Sequence, residues 1–387
     1  MATRFVAPTT TADYRLLAEK RLPRFLFDYI DGGANDERTL DKNTADFGAI
    51  QLRQRVMRDV EHIDLSTQLL GEDATMPLML APVGMAGMMA RRAEAQAASA
   101  AREAGIPFTI STLGVCPMEE VIEASGAPIW FQLYMLRDRD AVQRLLDRAL
   151  RNGVTTLVFT VDLAMPGQRY RDNRNGMIGD RKLAMALSKA HQLLTRPRWI
   201  LDVGVKGKPH TIGNLSDVVP DPTDLNEYRK YVEQQFDPSV TWADIEWIRS
   251  IWPHKLVIKG VLDADDARAA RDAGADAVVV SNHGGRQLDS VASSIQMLPA
   301  VADAVGADIE VYMDGGIRSG LDVLKAVALG ADGVLMGRPW IYATAAEGKA
   351  GLFALLNAFK REMEVGLALM GLTRIADLSR DHIYSSL

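Results

Sequence analysis

Cysteine is almost absent from this chain of 387 residues, since Cys116 is the only one. A disulfide framework is therefore excluded, and a reducing compartment is expected. Cys116 is best interpreted as a small buried hydrophobic residue. Aromatic residues make up only 6% of the chain while hydrophobic residues reach 48%, so aliphatic side chains and methionine must fill a large core.

Long hydrophobic runs are also missing, because no apolar stretch has the length that crosses a bilayer. The segment from Met1 to Leu16 lacks the basic-then-apolar order of a signal peptide. We therefore expect a cytoplasmic protein, with peripheral attachment to the cytoplasmic face of the inner membrane left open. The net charge of −6 argues against binding to nucleic acid.

What the sequence does contain is a regular alternation of short apolar runs with helical patterns. The predicted strands are residues 77–81, 107–111, 129–134, 156–161, 256–259, 277–281, 309–313 and 333–336. Helical spacing is found at 94–104, 139–151, 263–273 and 320–329, and these helices end at Gly105, Gly153, Gly274 and Gly330. Eight short apolar strands alternating with helices predict a closed (β/α)8 TIM barrel rather than an open doubly wound sheet.

Two regions fall outside this alternation. Residues 1–74 precede the first strand and are predicted to form a helical segment that caps the barrel, which itself occupies 75–387. There Thr11 is expected to cap one helix, and a second is expected to begin at Pro23 and end at Gly32-Gly33. Residues from about 167 to 246 form an insertion between strands four and five that is too long for a plain connection. It is predicted to be a lid, a contact surface or partly disordered.

Polar residues stand at the carboxyl end of nearly every predicted strand, which is where barrels of this kind carry their chemistry. They include Gln132, Tyr134, Asp162, Lys259, His283, Arg286, Asp314, Arg318 and Arg338. A purely structural barrel would not need them there, because buried charges are costly unless they are paired or used.

The last two strands run into glycines followed by arginines, Gly315-Gly316 with Arg318 and Gly337 with Arg338. Glycine lets backbone N–H groups approach a ligand closely, and guanidinium groups match phosphate geometry. A single such pattern is often only a turn. Two of them in the loops after strands seven and eight, the usual phosphate position of this fold, predict phosphate binding.

Strand six runs into His283, which is followed three residues later by Arg286. Imidazole can take up a proton near neutral pH, and a guanidinium can hold a carboxylate through two hydrogen bonds. A base beside a carboxylate clamp is what the oxidation of a 2-hydroxy acid requires. Lys259, at the end of strand five, is either a solvated end residue or a fixed cation that stabilises negative charge on a reduced flavin ring.

The run from Ser281 to Asp289, Ser-Asn-His-Gly-Gly-Arg-Gln-Leu-Asp, resembles the FMN-dependent 2-hydroxy-acid oxidases and dehydrogenases. The resemblance covers almost the whole chain in order and spacing, through Asp28-Tyr29 with Gly32-Gly33, Ala81-Pro82, Phe131 to Tyr134, Thr160 to Asp162, Lys259-Gly260 and Asp314 to Arg318. Within the family, the chain most strongly resembles the bacterial respiratory L-lactate dehydrogenases. This resemblance is carried by Arg53 to Arg55, Trp130 to Gln132 and Gly167 to Asp172.

The resemblance implies an activity and its partners. FMN would be the cofactor, a small L-2-hydroxy acid such as L-lactate the substrate, and quinone or another respiratory component the electron acceptor. The family is often tetrameric, so a homotetramer is expected. An oxygen-using oxidase that makes peroxide and a mandelate-type aromatic substrate stay open. From outside the family, a non-redox phosphate-binding barrel is the competing hypothesis, but it leaves His283 beside Arg286 and Arg169 unexplained.

The resemblance also implies roles for the residues at matching positions. His283 would be the base, either for the hydroxyl proton during hydride transfer or for the Cα proton on a carbanion route. Asp162 would orient His283, as a carboxylate does in catalytic triads. Arg286 and Arg169 would hold the substrate carboxylate, with Tyr29 and Tyr134 donating hydrogen bonds.

The remaining implied contacts belong to FMN. Pro82, Val83 and Gly84 would lie along the flavin, and Ser111, Gln132, Thr160 and Lys259 would contact its ring. Asp314 would bind the ribityl hydroxyls, while Gly316, Arg318, Gly337 and Arg338 would hold the phosphate. No metal site is predicted.

Two positions narrow the range of expected substrates and electron acceptors. Leu113 replaces the tryptophan of glycolate oxidase, which favours an aliphatic substrate. Gly84 stands where the oxidases usually carry alanine, which favours an acceptor other than oxygen.

The insertion is basic. Residues 171–210 contain nine lysines and arginines and three aspartates, a local charge of +6, so the rest of the chain carries −12. Apolar residues from Leu183 to Leu194 alternate with these bases and precede Trp199. A basic amphipathic helix flanked by tryptophan predicts contact with an anionic membrane surface. The alternative is a lid helix that packs on a neighbouring subunit with its charges solvated.

Overall fold

Eight parallel strands form the centre of the computed structural model, which describes residues 7–175, 182–216 and 234–385. In chain order the described strands are β1 (Gln51–Leu52), β2 (Thr67–Leu69), β3 (Glu72–Ala74), β4 (Leu78–Leu80), β5 (Thr109–Ser111), β6 (Trp130–Leu133), β7 (Thr156–Thr160), β8 (Lys255–Val261), β9 (Ala277–Val280), β10 (Glu310–Asp314), β11 (Gly333–Met336) and β12 (Ile383–Ser385). Strands β4 to β11 coincide with the eight predicted runs, so that prediction is confirmed.

The eight strands close into a barrel. Their order in the sheet is β4-β11-β10-β9-β8-β7-β6-β5, with every paired strand parallel. A single parallel bridge between Leu80 and Phe108 joins the two ends, where the Leu80 N–H donates to the Pro107 carbonyl at 3.0 Å. The predicted TIM barrel is therefore confirmed.

The strands are buried on both faces, which explains why their sequences are apolar almost throughout. One set of alternate positions forms a separate small core of Met79, Trp130, Val158, Val257, Val279, Tyr312 and Leu335, one from each of seven strands. The other set packs against the surrounding helices. Burying each large apolar side chain stabilises the fold by about 1.5–3 kcal/mol, and the alternation fixes which side chains share the inner layer.

Helices surround the barrel. The described helices are α1 (Thr11–Arg21), α2 (Arg24–Asp31), α3 (Arg38–Ala49), α4 (Ala93–Ala104), α5 (Met118–Ser125), α6 (Arg139–Arg151), α7 (Tyr170–Arg174), α8 (Lys182–Leu194), α9 (Pro197–Trp199), α10 (Trp242–Ile251), α11 (Ala264–Asp272), α12 (Ser294–Val305), α13 (Gly320–Ala328) and α14 (Arg338–Leu369). The four helices predicted by spacing correspond to α4, α6, α11 and α13 within one residue at each end.

The N-terminal segment contains the two predicted helices, but one cap differs. The side chain of Thr10, not Thr11, accepts the Asp13 N–H and caps α1, a contact that stabilises a helix by about 1 kcal/mol. Thr11 instead donates to the Arg318 carbonyl at 2.6 Å, because it is already the first residue inside the helix. The second helix follows Pro23 and ends at Gly32 as predicted.

The N-terminal segment is also less uniformly helical than predicted. It contains a third helix, α3, and the antiparallel hairpin of β2 and β3. Leu69, Leu70 and Ala74 of this hairpin join the inner core of the barrel, and Glu310 accepts the Leu70 N–H at 3.0 Å. The hairpin was missed because its strands are too short to show an alternating pattern.

The described part of the insertion contains helices, and these pack against the N-terminal helices and the loop after β4. The Trp199 indole N–H donates to the Met88 carbonyl at 2.9 Å, the Gln192 side chain accepts the Phe25 N–H at 2.9 Å, and Arg196 donates to the Leu22 carbonyl at 3.0 Å. Within the described ranges, no helix is long and apolar enough to cross a membrane.

Candidate active site

A cavity of about 610 Å³ lies at the carboxyl ends of the barrel strands. Its walls come from the loops after several strands together with α2 and the insertion. Most of the residues predicted from sequence line it, namely Tyr29, Pro82, Val83, Gly84, Tyr134, Thr160, Arg169, Lys259, His283, Arg286, Asp314, Gly316, Arg318, Gly337 and Arg338. Three others, Asp162, Ser111 and Gln132, do not form its surface but lie behind it.

His283 is held against a buried carboxylate. Its Nδ1 lies 2.7 Å from Oδ1 of Asp162, and its backbone N–H donates to the Ser281 hydroxyl at 3.0 Å. The turn that follows β9 places His283 at φ +58°, a left-handed conformation that costs a non-glycine residue of the order of 1–3 kcal/mol. With Nδ1 bound to the carboxylate, Nε2 is the ring nitrogen left for chemistry in the cavity.

Asp162 stays charged despite its burial. Burial acts to raise the pKa of this carboxyl group, but His283 and Lys259 outweigh burial and leave the pKa below its ordinary value. Gly260, at φ +110°, makes room for it, since a Cβ there would lie 2.7 Å from the Asp162 side chain. A fixed carboxylate stabilises the protonated form of the imidazole.

Two arginines lie over the same aromatic ring. The Arg286 guanidinium is 5.0 Å and the Arg169 guanidinium 5.5 Å from the Tyr29 ring centre. Arg286 is anchored through Nη1, which donates to the Tyr29 carbonyl at 2.6 Å and the Gly32 carbonyl at 3.0 Å. Burial and the neighbouring Arg169 lower the pKa of Arg286 to about 10. Cations crowded in this way favour an anion between them.

Asp172 lines the same wall and was not predicted from sequence as a site residue. Only 1% of its side chain is exposed, and Oδ2 lies 2.9 Å from Nε of Arg169. Burial raises the pKa of Asp172 although Arg169 and Arg286 act to lower it. The run Gly167 to Asp172, which carries part of the family resemblance, was the available signal.

The two tyrosines predicted to bind substrate both reach the cavity. The Tyr29 hydroxyl donates to the Gly84 carbonyl at 3.5 Å, a long contact. Tyr134 packs edge-on against Phe236, with ring centres 5.3 Å apart. Burial raises the pKa of Tyr134 well above its ordinary value, so its hydroxyl keeps its proton and can donate a hydrogen bond.

Lys259 is a buried cation in the floor of the cavity. Its ammonium group lies 3.0 Å from Oδ2 of Asp314 and donates to the Ser281 hydroxyl at 3.0 Å. Burial acts to lower its pKa, but Asp314 and Asp162 outweigh this and raise it. The alternative of a solvated strand-end residue is therefore wrong.

Three buried polar atoms of the predicted cofactor-binding residues fit a flavin nucleotide. Gln132 Nε2, Thr160 Oγ1 and Asp314 Oδ1 are buried and have no hydrogen-bond partner among the residues that the structure describes. Buried polar atoms are rarely left in this state. All three belong to residues predicted to bind the isoalloxazine ring or the ribityl chain, whose carbonyl, N–H and hydroxyl groups would satisfy them.

The glycine-arginine corner after β10 and β11 has backbone features that suit the predicted phosphate. Gly316, at φ +86°, packs so closely on α3 that a Cβ would lie 1.9 Å from the Asn43 carbonyl oxygen. Gly337 stands at the N-terminus of α14, where helix N–H groups attract anions. Burial lowers the pKa of both Arg318 and Arg338, a cost that a bound anion would offset.

The side chain of Arg338 is already occupied by protein groups. Its three guanidinium nitrogens donate to the carbonyls of Ile30, Gly284 and Gly32 at 2.8–3.0 Å. Among the residues that the structure describes, the Arg318 guanidinium donates only to the Ile317 carbonyl, through Nη1. A phosphate grip by both guanidinium groups thus stays a prediction, and Arg318 is the better placed of the two.

Several apolar residues on the other side of the cavity were also missed. They are Phe25 and Leu26 of α2, Met88 of the loop after β4, and Leu193, Trp199 and Ile212 of the insertion. Sequence reasoning could not find them because apolar residues are common everywhere in the chain, and only the fold brings these six together.

Comparisons with known proteins identify the family of this chain. The model of the FMN-dependent dehydrogenase family matches residues 18–385. An L-lactate dehydrogenase of Vibrio parahaemolyticus is 52% identical over 97% of this chain and 98% of its own, and one of Stenotrophomonas maltophilia is 53% identical over 97% and 99%.

Solved structures are similar over the same length. The monotopic membrane protein (S)-mandelate dehydrogenase matches with a TM-score of 0.91 and 36% identity, covering 98% of this chain and 100% of that one. A mandelate oxidase matches with a TM-score of 0.82 and 34% identity, covering 98% and 99%. The resemblance inferred from motifs is confirmed, and the chain belongs to the FMN-dependent dehydrogenase family.

Proposed function

We propose that this protein oxidises L-lactate to pyruvate with FMN and passes the electrons to a respiratory acceptor. The observation that carries the proposal is that His283, Arg286 and Arg169 line the same cavity. Relatives named L-lactate dehydrogenase share 52–53% of their residues with this chain, against 34–36% for the mandelate enzymes. Lactate is thus favoured over an aromatic hydroxy acid.

The roles of the side chains follow from their positions. Arg286 and Arg169 hold the substrate carboxylate, and Tyr134 and Tyr29 donate hydrogen bonds. His283 takes up a proton through Nε2, and the Asp162 carboxylate stabilises the resulting cation. FMN, when bound, supplies the two-electron oxidant.

Other residues of this chain hold the cofactor. Lys259 keeps a positive charge in the cavity floor, which favours the addition of electrons nearby. Ser111, Gln132 and Thr160 supply polar contacts to the ring, with Pro82, Val83 and Gly84 along it. Asp314 serves the ribityl chain, and the loops with Gly316, Arg318, Gly337 and Arg338 hold the phosphate.

The substrate is tested by mixing the yellow protein with hydroxy acids in the absence of oxygen. L-Lactate is expected to bleach the flavin absorbance within seconds of mixing, while D-lactate leaves the absorbance unchanged. Bleaching by L-mandelate in preference to L-lactate would overturn the substrate. A purified protein without flavin absorbance, which still binds inorganic phosphate, would support the non-redox alternative.

The acceptor is tested by admitting air to the reduced protein. We propose slow reoxidation, because Gly84 stands where the oxygen-using members of the family usually carry alanine. A Cβ at this position would lie only 3.3 Å from the Leu113 side chain and 3.5 Å from the Tyr29 hydroxyl. Rapid reoxidation with stoichiometric peroxide would instead identify an oxidase.

We further propose that the insertion rests on the cytoplasmic face of an anionic membrane. Its described surface exposes Leu187, Leu201 and Val205, which are 66%, 55% and 58% accessible, beside the exposed bases Arg198 and Lys206. Apolar residues flanked by bases bind lipid surfaces through both effects. One structural relative is itself described as a monotopic membrane protein.

The membrane proposal is tested by sedimentation with vesicles that contain anionic lipid at low salt. For the double variant Leu187→Gln, Leu201→Gln, the fraction of protein that sediments with the vesicles should be at least fivefold lower than for the wild type. The variant should retain its flavin. Failure of the wild type to sediment with these vesicles would end the proposal.

A homotetramer stays a prediction from the family. Sedimentation velocity of the flavin-loaded protein in detergent tests it, since a monomer or dimer would differ from a tetramer by at least twofold in mass. A monomeric, fully active enzyme would contradict it.

A further inference from the structure

The cavity has a charged side and an apolar side. The charged side is formed by the loops that follow β7 to β11. The apolar side, here called the antechamber, is formed by Phe25, Leu26, Met88, Leu193, Trp199 and Ile212. None of these six is among the residues assigned to FMN or to the hydroxy acid. Lactate has one methyl group to bury, so it cannot account for the antechamber.

We propose that the antechamber binds the ring of a lipophilic quinone, which is the electron acceptor of this enzyme. The family resemblance already implies a quinone or another respiratory component as acceptor. The present proposal rests on the proposed lactate dehydrogenase function and adds the site at which a quinone binds. Oxidation of lactate to pyruvate releases two electrons and two protons. Reduction of a quinone to its quinol consumes two electrons and two protons, so the turnover balances with no other reactant.

The walls of the antechamber are fixed by hydrogen bonds that run behind them. Trp199 is tied to the Met88 carbonyl at 2.9 Å, and the Phe25 backbone is tied to the Gln192 side chain at 2.9 Å. The Lys189 ammonium group lies 5.6 Å from the Phe25 ring centre and also lines the cavity. A preformed apolar slot with one polar group at its side suits a flat ring that carries two carbonyl oxygens.

The position of the antechamber connects it with the outer surface of the insertion. Helix α8 places Leu193 on the cavity wall, while Leu187 and Leu194 of the same helix are 66% and 77% exposed. The antechamber is also continuous with the charged side, since one cavity contains both. An acceptor dissolved in a bilayer beneath α8 therefore has a short apolar route to the site of oxidation.

The decisive experiment compares Leu193→Glu with Leu194→Glu, two neighbours of which only the first lines the cavity. L-Lactate oxidation is measured in detergent with decylubiquinone and, separately, with ferricyanide, a small charged acceptor. For Leu193→Glu the ratio of kcat/KM with decylubiquinone to that with ferricyanide should fall about tenfold, because a buried carboxylate repels the apolar ring. For Leu194→Glu the ratio should match the wild type.

A second measurement does not depend on turnover. Decylubiquinone added to the oxidised protein without lactate should quench tryptophan fluorescence at saturation, since Trp199 lines the antechamber. Trp199→Phe should lose most of the saturable quenching, and Leu193→Glu should shift it to about tenfold higher quinone concentration. Unchanged quenching in both variants would overturn the site.

The failure of this inference can be distinguished from failure of the lactate function. If the wild-type enzyme oxidises lactate with ferricyanide but not with decylubiquinone, the proposed quinone acceptor is wrong and the proposed lactate dehydrogenase function is supported. If Leu193→Glu and Leu194→Glu change the acceptor ratio equally, the antechamber is not the quinone site. If Leu193→Glu lowers mandelate oxidation with ferricyanide but leaves the acceptor ratio intact, the antechamber holds substrate side chains and the inference is overturned.

Discussion

The barrel mouth and the insertion meet at one cavity but are held in place in different ways. Arg286, from the barrel, donates two hydrogen bonds to backbone carbonyls, whereas Arg169, from the start of the insertion, relies on an ion pair with Asp172 that lacks hydrogen-bond geometry. His283 and Lys259 are similarly bound to carboxylates at strand ends. The difference indicates that the barrel fixes the reacting groups, while the insertion shapes access and completes the carboxylate site.

The largest expected effect lies on the barrel side. His283→Gln should lower kcat/KM for L-lactate by about 10³-fold to 10⁴-fold, because general-base catalysis contributes that much. Asp162→Asn should lower it roughly a hundredfold by removing the fixed charge that stabilises the imidazolium. Both variants should keep their flavin absorbance. If His283→Gln kept an activity within tenfold of the wild type, His283 would not be the catalytic base.

The two arginines give the next test of the comparison. Arg286→Met should raise KM roughly a hundredfold, since truncating one partner of a buried charge pair costs about 3 kcal/mol. Arg169→Met should raise KM about tenfold, because its contact is looser and its side chain is partly exposed. Steady-state kinetics with ferricyanide measure both, and Arg286→Lys controls for loss of packing. Equal losses would contradict the proposed division between barrel and insertion.

Substitution of Asp31 tests how firmly the barrel and the insertion are joined. It accepts hydrogen bonds from Arg15 of α1, Arg171 of the insertion and Tyr342 of α14. Burial acts to raise its pKa, but Arg15 and Tyr342 outweigh burial and lower the pKa from 3.8 to about 2. A lowered carboxyl pKa stabilises the folded state above about pH 4 and loses that contribution as the pH falls towards 2.

Asp31→Asn should therefore lower the free energy of unfolding at pH 7 by at most about 2 kcal/mol. The deficit should shrink when urea unfolding is repeated at pH 3. The exposed Asp36→Asn is the matched control and should show no deficit at either pH. A deficit for Asp31→Asn that stays constant from pH 7 to pH 3 would show that charge is not what joins the regions.

The barrel and its charged residues could be predicted from sequence because each left a local signal. The strands are continuous apolar runs, and a buried strand that ends in His283 or Lys259 is conspicuous. The hairpin of β2 and β3 left no such signal, because strands of three residues owe their place to the contacts of Leu69 and Leu70 with the barrel interior.

The insertion was less predictable for a related reason. Its basic, apolar composition indicated a helix, and α8 confirms one, but the inward position of Leu193 and the outward position of Leu194 depend on packing with α2. Asp172 was overlooked because a carboxylate beside an arginine in sequence is usually solvated. Only the fold shows that it is buried beside Arg169.

The structure of the FMN-loaded protein with bound pyruvate tests the central claim most directly. The carboxylate should lie between the guanidinium groups of Arg169 and Arg286, with the keto oxygen within hydrogen-bond distance of His283 Nε2 and the phosphate at Gly316 and Gly337. Pyruvate bound elsewhere, or His283 turned away from Asp162 and the ligand, would contradict it.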